Sequence, residues 1–262
     1  MHKFLVRAAS GIVYAAVIIF AILYGGWALW TLAIAFAIIG ICELDRMAMG
    51  FNSKTLPIFI IDILGVVSLI CLAVCPYSII LWIALQIIRL VIIYRLRKKD
   101  PNQRFSPAAT AYIGIPFCCM VFDPMHRLPL LIFVMLWLND SGAYIVGSLT
   151  GRHKLCPSIS PNKTWEGFFG GVAITLIGTY FLQRYCPAFF GMEAYGLGIW
   201  MLLAASTCIF GTIGDLIESK LKRNYGFKDS GNWIPGHGGL LDRIDSFLIA
   251  FPIAFLILLF IH

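Results

Sequence analysis

Apolar residues in this chain come in long runs separated by short polar stretches. No charged residue occurs from Gly11 to Cys42, and Gly25-Gly26 interrupts that run near its middle. One tilted span or a tight hairpin of two short spans would fit. The hairpin leaves Lys3, Arg7, Arg46 and Lys54 on one side, as the positive-inside rule favours, so two helices are predicted here. Further spans are predicted at Leu56 to Cys75, Ile79 to Tyr94, Pro107 to Phe122, Leu128 to Leu149, Gly167 to Gln183, Leu197 to Gly214 and Phe247 to Ile261. Since a spanning helix takes about 20 mostly apolar residues, the pattern predicts an all-α, polytopic integral membrane protein with about nine transmembrane helices.

Threaded alternately, the spans put the loops around residues 43–55, 95–106, 150–165 and 215–245 on one face. That face carries 17 of the 20 Lys and Arg residues; Arg127 and Arg184 fall on the other and Arg89 lies within a span. The asymmetry predicts a cytoplasmic N-terminus, an outside C-terminus and a place in the cytoplasmic (inner) membrane. Lys3 and Arg7 ahead of an apolar run imitate a signal peptide, but no small-residue cleavage site follows, so the segment is read as retained.

Composition agrees with this picture. Of 262 residues, 60% are hydrophobic and 13% charged, whereas soluble domains carry about 25% charged residues. The net charge of +7 would suggest nucleic acid in a soluble protein, but here the basic residues sit in loops between apolar runs and report topology instead. Nucleic acid is therefore not an expected partner. The eight cysteines lack the spacing of a zinc site or a disulfide framework and are read as small core residues.

The polar stretch that stands out is Ser219 to Asp245, SKLKRNYGFKDSGNWIPGHGGLLDRID. Lys220, Lys222, Arg223, Lys228 and Arg243 accompany Asp229, Asp242 and Asp245. Just upstream, Asp215, Glu218 and Ser219 would share one face of a continuing helix, and Asp242 and Asp245 repeat the spacing where the last span begins. Two carboxylate-bearing helix ends facing each other would suit Mg²⁺, which takes a few carboxylates plus substrate phosphate oxygens. Pairing of these acids with nearby Lys and Arg at the membrane surface is the competing explanation. Pro235-Gly236-His237-Gly238-Gly239 precedes a helix start, where glycine-freed N–H groups and the helix dipole favour an anion, so His237, Gly238 and Gly239 are candidate phosphate contacts.

A second polar cluster runs from Gly151-Arg152-His153-Lys154 through Ser160-Pro161-Asn162-Lys163-Thr164-Trp165-Glu166-Gly167. A turn at Ser160-Pro161 and a helix opened by Glu166 are predicted, with Lys163 as the available cation. By itself the cluster reads better as an ordinary positive-inside loop. A charge at the bilayer centre costs at least about 2.5 kcal/mol, so those within spans need a reason. Asn139-Asp140 breaks an apolar span and is predicted to face a wet cavity; Asp62 and Arg89 are predicted to pair structurally.

The 27 residues from Ser219 to Asp245 resemble, without a gap, the signature of the phosphatidate cytidylyltransferase (CDP-diacylglycerol synthase) family. Ser160 to Gly167 and the Asn139-Asp140 segment resemble that family as well. The resemblance implies condensation of CTP with phosphatidic acid to CDP-diacylglycerol and pyrophosphate, a requirement for Mg²⁺ with assistance from K⁺, and metal ligands at Asp215 and Asp242, with Asp245 as a further candidate. It also implies a homodimer with a polar cavity open to the cytoplasm and the bilayer. Within a single membrane domain, 1–262, residues 1–127 then form N-terminal helices and a candidate dimer region, and 128–262 the catalytic helices and loops.

The phosphate monoester of phosphatidate is its own nucleophile, so the demand on the protein is electrostatic. Lys222, Arg223, Lys228 and Arg243 are expected to share the phosphates, joined by Lys163 and His237. Asn139, Asp140, Ser160, Asn162, Ser219, Asp229, Gly238 and Gly239 are the expected substrate contacts. Two rivals compete: a CTP-dependent kinase of a lipid alcohol, which would release CDP, and a transporter using Asp62, Arg89 and Asp140, which the surface location of the polar residues and the lack of a repeat disfavour.

Overall fold

The computed structural model describes residues 2–53, 55–96, 108–123, 127–236 and 238–261. Among these, nine α-helices dominate: α1 (His2–Tyr24), α2 (Gly26–Met49), α3 (Leu56–Ile70), α4 (Ser78–Leu96), α5 (Ala108–Phe122), α6 (Leu128–Thr150), α7 (Trp165–Tyr185), α8 (Leu197–Asn224) and α9 (Leu241–Ile261). Two short strands, β1 (Lys154–Cys156) and β2 (Ser160–Thr164), form an antiparallel hairpin. An all-α protein was expected, so the hairpin is a correction. The turn falls at Pro157 to Ile159, just ahead of the expected Ser160-Pro161, which lies in β2, and the ladder satisfies backbone groups that a loop would leave to water.

Six segments are long and apolar enough to cross a bilayer: Gly26–Met49, Leu56–Ala73, Leu128–Thr150, Trp165–Tyr185, Leu197–Asn224 and Leu241–Ile261. The apolar stretches Ala9–Tyr24, Ser78–Ile93 and Ala108–Phe122 are shorter than a full span. The count of nine helices matches the expectation from hydropathy, while six reach the length a straight crossing requires. Exposed apolar side chains such as Phe20, Ile80, Ile177 and Phe260 lie along the helices, a surface suited to lipid.

The chain forms two compact units. The first contains residues up to Phe122 together with Asn224–Ile244. Gly25 and Gly26, both with positive φ, separate α1 from α2, so the uncharged run forms two helices as predicted. Helices α2, α3, α4 and α5 pack around fully buried Ile41, Leu44, Ile58, Ile70, Ile113 and Phe117. Arg89 and Asp62 make the predicted ion pair at 2.6 Å, both fully buried, and Asp45 of α2 lies beside them as a second buried carboxylate.

The second unit contains Asp123–Arg223 and Asp245–His262. Its α6 and α7 pack along a seam of small residues: a Cβ at Gly171 would stand 2.6 Å from Asn139 Oδ1, and one at Gly142 would stand 3.1 Å from Gly171 Cα. Small residues let membrane helices approach this closely. Phe247 stacks on Phe133 with centroids 4.3 Å apart and on Phe251 at 4.8 Å, beside a core that includes Trp200. Helix α8 exceeds the predicted span by ten residues. Its 28 residues extend about 42 Å, more than the roughly 30 Å hydrocarbon thickness, so it carries Asp215 to Asn224 onward as helix. Of the cysteines, only Cys208 is buried, and Cys75 and Cys186 are exposed; the reading of all eight as core residues is corrected accordingly.

Candidate active site

In the second unit the β-hairpin is held against the ends of two helices. Thr164 caps α7 by accepting the Gly167 N–H at 3.1 Å, and the Trp165 N–H donates to the His153 carbonyl at 2.9 Å. Glu166, in the first turn of α7, accepts the backbone N–H groups of Arg152 and His153 at 3.2 Å and contacts His153 Nδ1 at 2.6 Å. These bonds fix the register of β2 and therefore the position of Lys163. Its ammonium reaches Asp215 Oδ2 of α8 at 2.6 Å, while Ser219 Oγ, one turn on, donates to Asp215 Oδ1 at 3.1 Å.

This ion pair borders a cavity of about 410 Å³. Asn139, Asp140 and Tyr144 of α6, Asn162 and Lys163 of the hairpin and Asp215 of α8 line it. Asp140 thus faces a cavity as the polar break in α6 predicted, and Asn139 is buried with an Oδ1 that has no hydrogen-bond partner. An amide oxygen so placed is a ready acceptor for a ligand N–H or water. Ser160 begins β2, half-buried, and does not line the cavity.

Next to this cavity, α8 and α9 touch. A Cβ on Gly214 would stand 2.6 Å from the Asp245 carbonyl oxygen, so the glycine admits the α9 backbone. Asp245 lies within electrostatic reach of Asp215, Glu218 and Lys222. Glu218 is fully buried and ion-paired with Lys222 one turn later. Three carboxylates are therefore gathered with two ammonium groups, Lys163 and Lys222, an excess of negative charge made of hard oxygen donors. That donor set suits Mg²⁺ chemically. Among the described residues no three acidic, His or Cys side chains converge into a metal cage. Mg²⁺ is often held by one or two carboxylates plus substrate phosphates, so a full cage is not required.

In the first unit, the loop following α8 is organised by two acids. Asp242 Oδ2 accepts the N–H groups of Ser230 at 3.0 Å and Gly239 at 2.9 Å. Glu43 of α2, buried at 2% exposure, accepts the N–H groups of Leu240 and Leu241, both at 2.9 Å, and the Ser230 hydroxyl at 2.7 Å. The Gly239 N–H expected to face phosphate is thus donated to the protein's own carboxylate. Gly238 carries φ +83 and its carbonyl accepts the Ile234 N–H. Lys228, Asp229 and Arg243 are exposed, as is Arg223 at the end of the second unit's α8, and the Arg243 carbonyl accepts the Tyr14 hydroxyl. His237 lies outside the described residues. Glu43 was not anticipated from sequence; the signal was an acid at the end of an apolar run, where burial demands partners.

The sequence profile of the Cytidylyltransferase family matches residues 5–261. The chain is 35% identical to the phosphatidate cytidylyltransferase of Staphylococcus haemolyticus, over 97% of this chain and 98% of that protein. It is 34% identical to that of Staphylococcus aureus over the same shares, and 41% identical to that of Staphylococcus saprophyticus over 59% of this chain and 58% of the relative.

Proposed function

The chain belongs to the cytidylyltransferase family, and from that premise we infer that it transfers the cytidylyl group of CTP to phosphatidic acid, leaving CDP-diacylglycerol and pyrophosphate. The observation that carries the inference is similarity to phosphatidate cytidylyltransferases from end to end, hydrophobic N-terminal half included. The chain is a nucleotidyltransferase of lipid biosynthesis with several membrane-spanning helices. The loop asymmetry of Lys and Arg supports nine spans in the cytoplasmic membrane with the active site on the cytoplasmic face. A homodimer is proposed from the family resemblance alone.

The phosphate monoester of phosphatidate is largely ionised near neutral pH, so no side chain has to remove a proton to create the nucleophile. The obstacle is repulsion between two anions, and fixed cations answer it. Lys163 stands on a rigid hairpin at the cavity wall, where it can hold a phosphate oxygen once its hold on Asp215 is exchanged. Lys222, Arg223, Lys228 and Arg243 are assigned to the remaining phosphate charge. Asn139 and Asp140 offer an acceptor and a charge at the inner wall, and Asn162 a further polar contact. Asp215 and Asp245, with Asp242 three residues before Asp245 on the same helix, would hold Mg²⁺; K⁺ is a further candidate cation. Bound there, Mg²⁺ would neutralise polyphosphate charge and orient the leaving group.

The test is pyrophosphate release by detergent-purified protein given CTP, phosphatidic acid and Mg²⁺, with each omitted in turn. Release that needs all three, with an equal amount of CDP-lipid, is expected. CDP and a lipid phosphate formed from a lipid alcohol would instead identify a kinase and overturn the reading.

A further inference from the structure

We propose that Glu43 is a positioning residue for the reaction, a buried carboxylate that sets the geometry of the loop from Asn224 to Leu240 and of the start of α9. The proposal rests on the functional reading above, because it matters only if that loop serves the nucleotide. Three donors converge on the one carboxylate: Leu240 N–H on Oε1, Leu241 N–H on Oε2 and the Ser230 hydroxyl on Oε2. The first two are N–H groups that a helix start cannot satisfy internally, and the positive end of the α9 dipole favours a negative partner there. Glu43 thus occupies from within the protein the anion position at the head of α9.

Two glycines of the loop fit this arrangement. A Cβ on Gly231 would stand 2.5 Å from Glu43 Oε1, and one on Gly239 would fall on Ser230 Oγ first, then 2.5 Å from Glu43 Oε2 and 2.6 Å from the Gly231 backbone nitrogen. Neither residue is among the glycines with positive φ, so space, not backbone conformation, explains them: around the carboxylate at Gly231, and around the carboxylate with its Ser230 donor at Gly239. The same loop segment donates Ser230 N–H and Gly239 N–H to Asp242. Ser230 is therefore shared, its hydroxyl on Glu43 and its N–H on Asp242, and displacing Glu43 shifts the donors that orient Asp242. Glu43 itself contacts no substrate; it acts through the backbone that holds Asp242 and carries Lys228.

Three substitutions separate this role from a purely structural one. Glu43→Gln keeps size and one acceptor oxygen but sets an NH₂ group against an N–H or O–H donor. Glu43→Asp keeps the charge at shorter reach, and Gly239→Ala pushes on the Ser230 hydroxyl and on the carboxylate it donates to. For Glu43→Gln, the CTP and Mg²⁺ concentrations giving half-maximal pyrophosphate release are expected to rise about tenfold, the scale of losing one charge-assisted hydrogen bond. Glu43→Asp should restore part of that shift, and Gly239→Ala should resemble Glu43→Gln. Hydrogen exchange at the Leu240 and Leu241 amides, expected to lose protection in Glu43→Gln, reads the geometry without activity. Unchanged half-saturation values in an active Glu43→Gln enzyme, or a fall in kcat alone with a lowered melting point, would overturn the proposal. So would unchanged amide protection. If the unsubstituted protein makes no CDP-lipid, the functional reading fails instead, and the exchange data still decide whether Glu43 holds the loop.

Discussion

Lys163→Met removes one cation from the cavity wall while keeping most of the side chain's volume and reach. The Lys163–Asp215 pair is 28% and 29% exposed, so solvent screens it, and its loss should lower stability by about 1 kcal/mol or less. For a chain of this size that corresponds to a melting shift of roughly 4 °C at most. The effect on turnover should be far larger. Lys163 is carried on a strand whose register is fixed by Thr164 and Glu166, so once it exchanges Asp215 for a phosphate oxygen its backbone need not move. Removing one preorganised donor of this kind lowers kcat by about 10²- to 10³-fold. The assay is pyrophosphate release at saturating CTP and phosphatidate, alongside thermal unfolding in the same detergent. A kcat within about threefold of the unsubstituted enzyme, in protein that melts normally, would refute the assignment of Lys163 to the reacting phosphates.

Asp242→Asn retains an oxygen able to accept the Ser230 and Gly239 N–H groups but loses the charge, so it should fold and insert while losing turnover; near-normal pyrophosphate release would remove Asp242 from the metal ligands. Gly171→Ala places a Cβ 2.7 Å from the Asn139 carbonyl oxygen, which backbone cannot readily yield, and should destabilise the α6–α7 pair by about 1–3 kcal/mol, measured by thermal unfolding. Arg89→Met strands the buried carboxylates of Asp62 and Asp45 and should cost about 3–5 kcal/mol, read as lost folded yield; adding Asp62→Asn should recover part of it.

The helical content and the α1–α2 break were legible because they are local: an uncharged run and a Gly-Gly pair state them within one window of sequence. The end of α8 was legible only in part. Hydropathy stops at Gly214, the acid spacing suggested a continuing helix, and its run to Asn224 is supported by buried Glu218 and Lys222, which neutralise each other one turn apart. The hairpin was read as a turn because three- and five-residue strands are too short to display alternation. Asp215 and Lys163 were each recognisable by chemistry, but their meeting at 2.6 Å is a tertiary fact. Glu43 was hidden most thoroughly. Its partners lie 187 to 198 residues away, so nothing near Cys42 or Arg46 announces them.

The glycines of the 27-residue signature divide by physical cause, and the division makes one coupling measurable. Gly236 and Gly238, at φ +76 and +83, adopt a conformation that L side chains resist. Gly231 instead yields space to a carboxylate that belongs to α2, outside the signature, and Gly239 to that carboxylate together with the Ser230 hydroxyl. A conformational requirement stays whatever happens to Glu43, whereas a steric one is relaxed when the carboxylate is removed. Gly231→Ala combined with Glu43→Ala should therefore be less harmful than the two separate effects predict, because the added Cβ enters volume that the shorter side chain has vacated. Residues in direct contact show interaction energies of about 0.5–3 kcal/mol in such cycles. Gly236→Ala combined with Glu43→Ala should instead add independently, since nothing in Glu43 sets the φ of Gly236. Thermal unfolding of the three single and two double variants measures both couplings. Additivity in the Gly231 cycle would show that the glycine is not there to accommodate Glu43.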